Sequence, residues 1–398
     1  MANNNKHTGP NVPALRFPEF SGEWETRTIG DDCKILMCKR IFANQTAPEG
    51  EVPFYKIGTI GDKADAYISK ELFDEYKLKY NYPKCGEVMI TCAGTVGKTI
   101  LYNGQDAYYQ DSNIVWLSNP KNFYSNAFLN YLLNRVDWSK LNSTTITRIY
   151  NDNLRELHIT FPSRQEQDRI VSLLTKIDER ITVQSKIIEE LKTLRSSLRQ
   201  KLLYKNDVVM RPLSDFSELK NGYAFKSSTY SDTGIYNIVT ISNVTGERYI
   251  NLVGYNKIDE IPFDIQSHQI LHSGDILISM TGNVGRVSMC SDGNYLLNQR
   301  VGLLKLKAEY VGFTEYIFQC LRDISFTNAM KDKGQGAAQQ NIGKGDIESF
   351  MVPWFNDVRY SKSVSQLLYK LDNIVLIEEQ RLSDYSKIKI GLLSKMFI

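Results

Sequence analysis

Two kinds of hydrophobic spacing alternate along this chain. Short apolar runs, among them Val88–Thr91, Ile114–Leu117, Ile276–Ser279 and Val301–Leu306, stand between turn residues rich in Gly, Asn and Asp. That is the pattern of strands bounded by tight connections. Phe123–Asn134 and Thr314–Leu321 read as helix. Two longer segments without proline then change the spacing. In the first, Ile170, Leu174, Ile177, Ile181, Gln184, Ile188, Leu191, Leu194, Leu198 and Leu202 recur mostly every three or four residues. In the second, Val364, Leu368, Leu371, Val375, Leu382, Tyr385, Ile388, Leu392 and Met396 do the same. So narrow a stripe is the seam of a coiled coil. A helix of about 40 residues would run ~60 Å and could not hide such a stripe alone. The economical solution packs the two segments against each other, antiparallel, with a globular domain at each end. The competing arrangement is a pair of unrelated surface helices, each covering its own domain.

The order of these elements is itself repeated. Cys85-Gly-Glu-Val-Met-Ile-Thr-Cys-Ala-Gly-Thr-Val-Gly-Lys98 lies in register with Ser273-Gly-Asp-Ile-Leu-Ile-Ser-Met-Thr-Gly-Asn-Val-Gly-Arg286. Gly86/Gly274, Gly94/Gly282, Val96/Val284 and Gly97/Gly285 coincide, acid meets acid at Glu87/Asp275, and base meets base at Lys98/Arg286. Tyr109-Gln110-Asp111 falls near Asn298-Gln299-Arg300, Leu154–Phe161 parallels Ile347–Trp354, and Leu173–Asp178 parallels Leu367–Asp372. The offset drifts by a few residues along the chain, as loop insertions in a duplicated unit would make it. The expected fold is α+β: two repeated, strand-rich mixed α/β domains separated by a long antiparallel two-helix coiled coil, with pseudo-two-fold symmetry. Its boundaries are a disordered tail at 1–14, one domain at 15–160, one helix at 161–207, the second domain at 208–355 and the second helix at 356–398.

Composition constrains this picture without deciding it. At 398 residues two domains are the natural prior, and 42% apolar with 23% charged residues is ordinary for a globular protein. A formal charge of +3 neither demands nor excludes nucleic acid, so any DNA footprint must come from local clusters. No run approaches the roughly 20 apolar residues that cross a bilayer. Met1 to Asn11 is polar, with no signal-peptide core, which points to the cytoplasm and to no membrane association. Cys33, Cys38, Cys85, Cys92, Cys290 and Cys320 then read as buried small apolar residues, and the Asn-x-Ser/Thr matches at Asn142 and Asn243 as chance.

The motifs that would carry catalysis fail on spacing. Cys92–Thr99 ends in Gly-Lys-Thr, but a phosphate loop needs glycine where Cys92 stands, and the repeat copy Gly282–Val287 lacks both the Lys and the Thr. A tight turn between strands fits better, with Lys98 or Arg286 able to hold a DNA phosphate. Cys33 and Cys38 have no matching ligand pair. His268 and His272 lack the glutamate of a zinc protease and a third ligand. Asp346-Ile-Glu348 is an acidic pair without a nuclease context and reads as a helix start. No catalytic residue, metal site or cofactor is expected in this chain.

Polar, aromatic and basic loop chemistry remains. In the first unit Lys39, Arg40, Lys56, Thr59, Lys98, Gln110, Asn113, Thr145, Thr147 and Arg148 are candidates for DNA contact. In the second they are Lys226, Ser227, Thr240, Asn243, Arg286, Gln299, Arg300, Lys333, Gln335, Gln339, Gln340, Asn341 and Lys344. Arg, Lys, Asn and Gln carry the forked donors and acceptors that read base edges in the major groove. Each alone is as readily a solvated surface residue. The loop Lys331–Lys344 stands out for its glycines, glutamines and lysines. Lys192, Arg195, Arg199, Lys201 and Lys205 form a basic run without an intervening acid, by default a solvated helix face, alternatively a screen for phosphates or for an acidic partner.

Together these features resemble the specificity subunits of Type I restriction-modification enzymes over nearly the whole chain. Val12-Pro-Ala-Leu-Arg-Phe-Pro-Glu-Phe-Ser-Gly-Glu-Trp24 is similar to the family's lead-in. The Gly86–Thr91 and Gly274–Ser279 strands with their Gly-x-Val-Gly-Lys/Arg turns resemble its recurrent turn, and Phe161–Ile170 its junction into the first long helix. The second junction, Phe355–Lys362, has lost the Glu-Gln pair. The resemblance implies that each domain reads one half of a split, asymmetric target in double-stranded DNA, while the helices set the spacer. It also implies docking of two modification subunits, which bring S-adenosylmethionine, and of two restriction subunits, which bring ATP and Mg. The alternatives are a Type IIB-like methyltransferase-nuclease built on the same architecture and a coiled-coil interaction scaffold without a DNA role.

Overall fold

A computed structural model describes residues 11–141, 148–205, 207–334 and 340–398. The chain divides into two units, Met1–Val183 with Leu382–Ile398, and Gln184–Arg381. The last turns of the chain thus belong to the first unit, which linear boundaries do not express. Among the described residues no helix is long and apolar enough to cross a membrane. Of the expected tail, residues 1–10 lie outside the described residues. Asn11 accepts a hydrogen bond from the Trp24 amide, and the Leu15 amide donates to the Lys395 carbonyl, so the chain is already pinned there.

In the first unit the strands are β1 (Glu25–Thr28), β2 (Lys34–Leu36), β3 (Val52–Tyr55), β4 (Tyr67–Ile68), β5 (Val88–Thr91), β6 (Thr99–Leu101), β7 (Tyr108–Tyr109), β8 (Ile114–Ser118) and β9 (His158–Phe161). The helices are α1 (Ile29–Asp32), α2 (Lys70–Lys79), α3 (Asn126–Leu133), α4 (Asn151–Arg155) and the start of α5 (Arg164–Leu203). An antiparallel sheet of order β2-β8-β5-β6 is central. Because side chains alternate across a strand, Val88, Ile90, Val115 and Leu117 pack with α3 and the long-helix ends. Met89, Ile114 and Trp116 pack with Phe54, Phe73 and Tyr108 on the other face. Burial on both faces explains why these strands read as continuous apolar runs. A smaller sheet, β4-β3-β7, pairs β3 with β7 in parallel, and β1 pairs with β9.

The second unit repeats this plan. Its strands are β10 (Val209–Pro212), β11 (Ser217–Asn221), β12 (Tyr236–Val239), β13 (Asn256–Ile258), β14 (Ile270–Leu271), β15 (Ile276–Ser279), β16 (Val287–Met289), β17 (Tyr295–Leu297), β18 (Val301–Leu306) and β19 (Met351–Trp354). The helices are α6 (Thr314–Leu321), α7 (Ile324–Lys333), α8 (Lys344–Glu348) and most of α9 (Val358–Met396). The sheets β11-β18-β15-β16, β13-β12-β17-β14 and β10-β19 match those of the first unit, with one added strand, β14. Asp346 indeed opens a helix, since its carboxylate accepts from the Gly343 amide at the start of α8.

Each unit holds its own stretch of paired long helix. Ser163 begins α5 by accepting from the Gln167 amide, and the Asp357 carboxylate begins α9 by accepting from the Arg359 amide. In the second unit Gln184 donates to Glu378 at 2.6 Å, Arg195 to Asp372 at 2.8 Å, and Tyr360 to the Leu202 carbonyl at 3.1 Å. Numbers rise along α5 as they fall along α9, so the pair is antiparallel. Ile170, Leu174, Ile188, Leu368 and Val375 are buried; Ile177, Ile181, Leu191, Leu198, Leu202, Leu371, Leu382 and Leu392 are half-buried.

Two stripe positions depart from expectation. Leu194 and Ile388 are exposed, because the next residues, Arg195 and Lys389, take the inward place and reach the acids Asp372 and Asp178. These bridges are the same contact made once in each repeat. The basic run on α5 is only partly a solvated face: Lys201 and Lys205 are exposed, while Lys192, Arg195 and Arg199 turn inward. Arg199 is buried and donates to the Gln319 side chain and the Arg322 carbonyl, while Lys192 pairs with Glu247 and Glu379. Cys85 corrects the cysteine reading: it is exposed, and the other five are buried.

Candidate nucleic-acid interface

The repeated turn is the frame of each loop cluster. Gly86 and Gly274 adopt φ of 86° and 88°, and the acid that follows each folds back on the turn. Glu87 accepts from the Lys84 amide and Asp275 from the His272 amide, both at 2.8 Å. Thr91 and Ser279 close the next turn in the same way, their hydroxyls accepting from the amides of Lys98 and Arg286 at 3.1 and 3.0 Å. A Cβ on Gly97, which has φ of 82°, would lie 2.0 Å from Trp138. The turn joins β5 to the antiparallel strand β6, whereas a phosphate loop opens a helix.

In the first unit this turn gathers four neighbouring segments. The Lys98 ammonium donates to the Ile60 carbonyl at 2.6 Å, which ties the turn to residues 56–61. The Cys92 amide donates to the Asn113 carbonyl, the Ile149 amide to the Cys92 carbonyl, and the Gln110 amide to the Tyr55 carbonyl. Arg40 reaches the same cluster through Asp111 at 2.8 Å. Arg40, Lys56, Thr59, Lys98, Gln110, Asn113 and Arg148 thus converge, whereas Lys39 lies over the Tyr80 ring at 5.4 Å. Arg148 lies 5.8 Å from the Tyr150 ring, and Thr145 and Thr147 fall outside the described residues. Several of these side chains have local work. The Gln110 carbonyl oxygen accepts from the Ile57 amide, the Thr59 hydroxyl from the Lys56 amide, and Lys56 pairs with Asp65. Burial pushes the Cys92 thiol up to about 11, so it is no thiolate.

The second unit builds the equivalent cluster. The Met280 amide donates to the Arg300 carbonyl, the Gly282 amide to the Gln340 carbonyl, the Ile342 amide to the Met280 carbonyl, and the Gln299 amide to the Tyr223 carbonyl. Gln299, Arg300 and Asn341 are exposed, and Arg286 and Gln340 half-buried, around this point. Lys226 and Ser227 are exposed; Lys226 lines an adjoining groove with Tyr223, Phe225 and the fully exposed Phe263. Thr240 bonds Ser242.

Asn243 is a correction. It is fully buried, accepting from the Thr240 amide and donating to the Asn251 carbonyl, so it shapes a turn and cannot meet a base. Lys333 and Lys344 stay exposed and carry surface ion pairs: Lys333 sits 3.6 Å from Asp346, and Lys344 pairs with Glu218 at 3.0 Å. Gln335 and Gln339 fall outside the described residues.

Sequence reasoning passed over two features. Asp111 holds Arg40 across 71 residues of chain, a pairing that no local spacing signals. Asp372, fully buried, receives Arg195, Arg248, Arg322 and Gln319 at 2.7–3.0 Å. Burial alone would raise its pKa, but the Arg322 charge, the Gln319 hydrogen bond and the other arginines outweigh it and hold it below the usual range. The signal was the recurrence of the acid at Asp178, which accepts from Tyr131 and pairs with Lys389.

Comparison with known proteins gives this geometry a context. Residues 21–193 and 205–383 match the family model described as the Type I restriction modification DNA specificity domain. A putative type I restriction enzyme specificity subunit of Haemophilus influenzae is 49% identical over 150 residues, covering 38% of this chain and 39% of that relative. This match thus spans well under half of that relative's length. A putative type I restriction enzyme specificity subunit of Methanocaldococcus jannaschii is 23% identical, covering 95% of this chain and 94% of its own. Among solved structures, the S subunit of a Type I restriction-modification system from M. genitalium superposes with a TM-score of 0.63 at 17% identity, covering 97% of this chain and 99% of its own. A structure concerned with assembly and conformational transition of the type I system gives 0.55 at 12% identity, covering 94% and 97%.

Proposed function

This chain belongs to the family of Type I restriction modification DNA specificity domains, and on that premise we propose that it is the sequence-reading subunit of a Type I restriction-modification complex. Each unit's loop cluster reads one half of a split target in double-stranded DNA. The observation that carries this reading is the duplicated turn, which brings polar and basic side chains together once per unit in the same way. Because the clustered side chains differ, Gln110 and Asn113 in one and Gln299, Arg300 and Asn341 in the other, the two half-sites differ and the target is asymmetric.

The chain supplies no reaction chemistry in this proposal. Two modification subunits hold S-adenosylmethionine and transfer its methyl group to an extruded adenine, and two restriction subunits use ATP and Mg. The complex works in the cytoplasm. The test is a single substitution at one cluster. With the assembled complex, Gln340→Ala relaxes one half of the methylated motif and leaves the other intact. Equal loss at both halves contradicts a separate reader in each unit.

A further inference from the structure

Arg40 and Asp111 carry an inference that rests on the DNA-reading function and narrows it to one base. The Asp111 carboxylate accepts from the Arg40 Nε at 2.8 Å. The Asp111 side chain is 18% exposed while that of Arg40 is 59% exposed, so the acid is the fixed partner and the arginine projects outward. Asp111 itself is held on both sides: the Gln110 amide donates to the Tyr55 carbonyl, and the Asn113 carbonyl accepts from the Cys92 amide. Between them Ser112 adopts φ of 51°, a left-handed conformation that a serine enters at a cost and that neighbouring structure must impose. Asp111 is thus placed, at some backbone strain, to hold an arginine by its inner nitrogen.

An arginine gripped at Nε keeps its two terminal nitrogens as a parallel fork. Among the described residues, Arg40 has no further hydrogen bond at that end. Such a fork matches the O6 and N7 acceptors of guanine in the major groove, and no other base offers two acceptors side by side there. Pre-orienting the fork removes much of the rotamer entropy that a free arginine loses on binding. Among the described residues the second unit's cluster shows no such pair: Arg300 stands where the repeat places Asp111, on a shorter loop, and the Asn298 side chain accepts from its backbone amide.

We propose that Arg40, positioned by Asp111, specifies one guanine in the half-site read by the first unit. The test uses the assembled complex and sequencing of methylated adenines, comparing the native chain with Arg40→Ala, Arg40→Lys and Asp111→Ala. The native motif is expected to require a G·C pair at one position of that half. Arg40→Ala lowers preference for that pair by about ten- to a hundred-fold, Arg40→Lys and Asp111→Ala lower it less, and the other half is unchanged. Arg40→Lys keeps the charge and the long stem but loses the fork, and a loss confined to one position separates base reading from phosphate contact and from misfolding. Should Arg40→Ala weaken methylation uniformly, with no position of the half-site relaxed, Arg40 is a phosphate contact and the proposal falls. It falls equally if the relaxed position is an A·T pair. Methylation independent of this chain would instead defeat the reading on which the proposal rests.

Discussion

Replacing Asp372 by asparagine removes one negative charge from a site where three guanidinium groups meet. Asp372 is fully buried, and the side chains of Arg195, Arg248 and Arg322 are 12%, 4% and 3% exposed, so water cannot take over the lost charge. Removing one partner of a buried ion pair costs about 3–5 kcal/mol. Asparagine keeps one acceptor oxygen, and Glu315 still neutralises Arg248, so the lower end, about 3 kcal/mol, is expected. The matching substitution Asp178→Asn breaks a bridge whose partners are 35% and 30% exposed, which is worth at most about 1 kcal/mol. The assay is amide hydrogen exchange on the full chain, which resolves each unit's opening free energy. Asp372→Asn speeds exchange in α6 and the middle of α9 by about two decades at 1.4 kcal/mol per decade, and Asp178→Asn speeds exchange around α3 by less than one. The sign with pH follows. The Asp372 pKa lies below its unfolded value of 3.8, so its contribution is complete well above that value and fades as pH falls through the folded pKa. The asparagine variant lacks this dependence. An exchange change under threefold at neutral pH, or equal changes for both variants, would refute the reasoning.

Three further outcomes are expected. Gly97→Ala places a methyl 2.0 Å from the Trp138 ring at a φ of 82°; it destabilises the first unit by at least about 2 kcal/mol, read as a lowered urea midpoint. Asn243→Ala strips a buried cap and costs about 1–3 kcal/mol, yet the methylated motif stays unchanged in the surviving complex, because the side chain holds a turn and touches no base. With a thiol reagent, the folded chain labels at Cys85 alone, since it is the exposed cysteine and burial pushes Cys33 and Cys38 up to about 12.

The repeat made most of the architecture legible, because a duplicated turn leaves matching residues with local causes. Gly86 and Gly274, the acid after each, and Thr91 and Ser279 all act within a few residues of themselves. The helical stripes were legible for the same reason, save Leu194 and Ile388, where a neighbouring cation takes the inward place. What sequence could not show are pairings made by distant segments. Arg248 and Arg322 meet Asp372 only through the fold. Arg199 looked like part of a solvated basic run, and burial holds its guanidinium down at about 10. Asn243 has the composition of a base reader, but its amide is enclosed by its own loop. In the candidate interface, residue types were readable and commitments were not: Gln110 and Lys98 hold neighbouring backbone, while Arg40 projects outward from Asp111.

The central claim is that this chain determines which DNA sequence the complex modifies. Its most direct test is co-expression with candidate modification subunits, with and without this chain, followed by sequencing of methylated adenines in host DNA. The account predicts methylation at a split, asymmetric motif that disappears when the chain is omitted. A correctly assembled complex that methylates nothing, or that methylates the same sites in its absence, would contradict it.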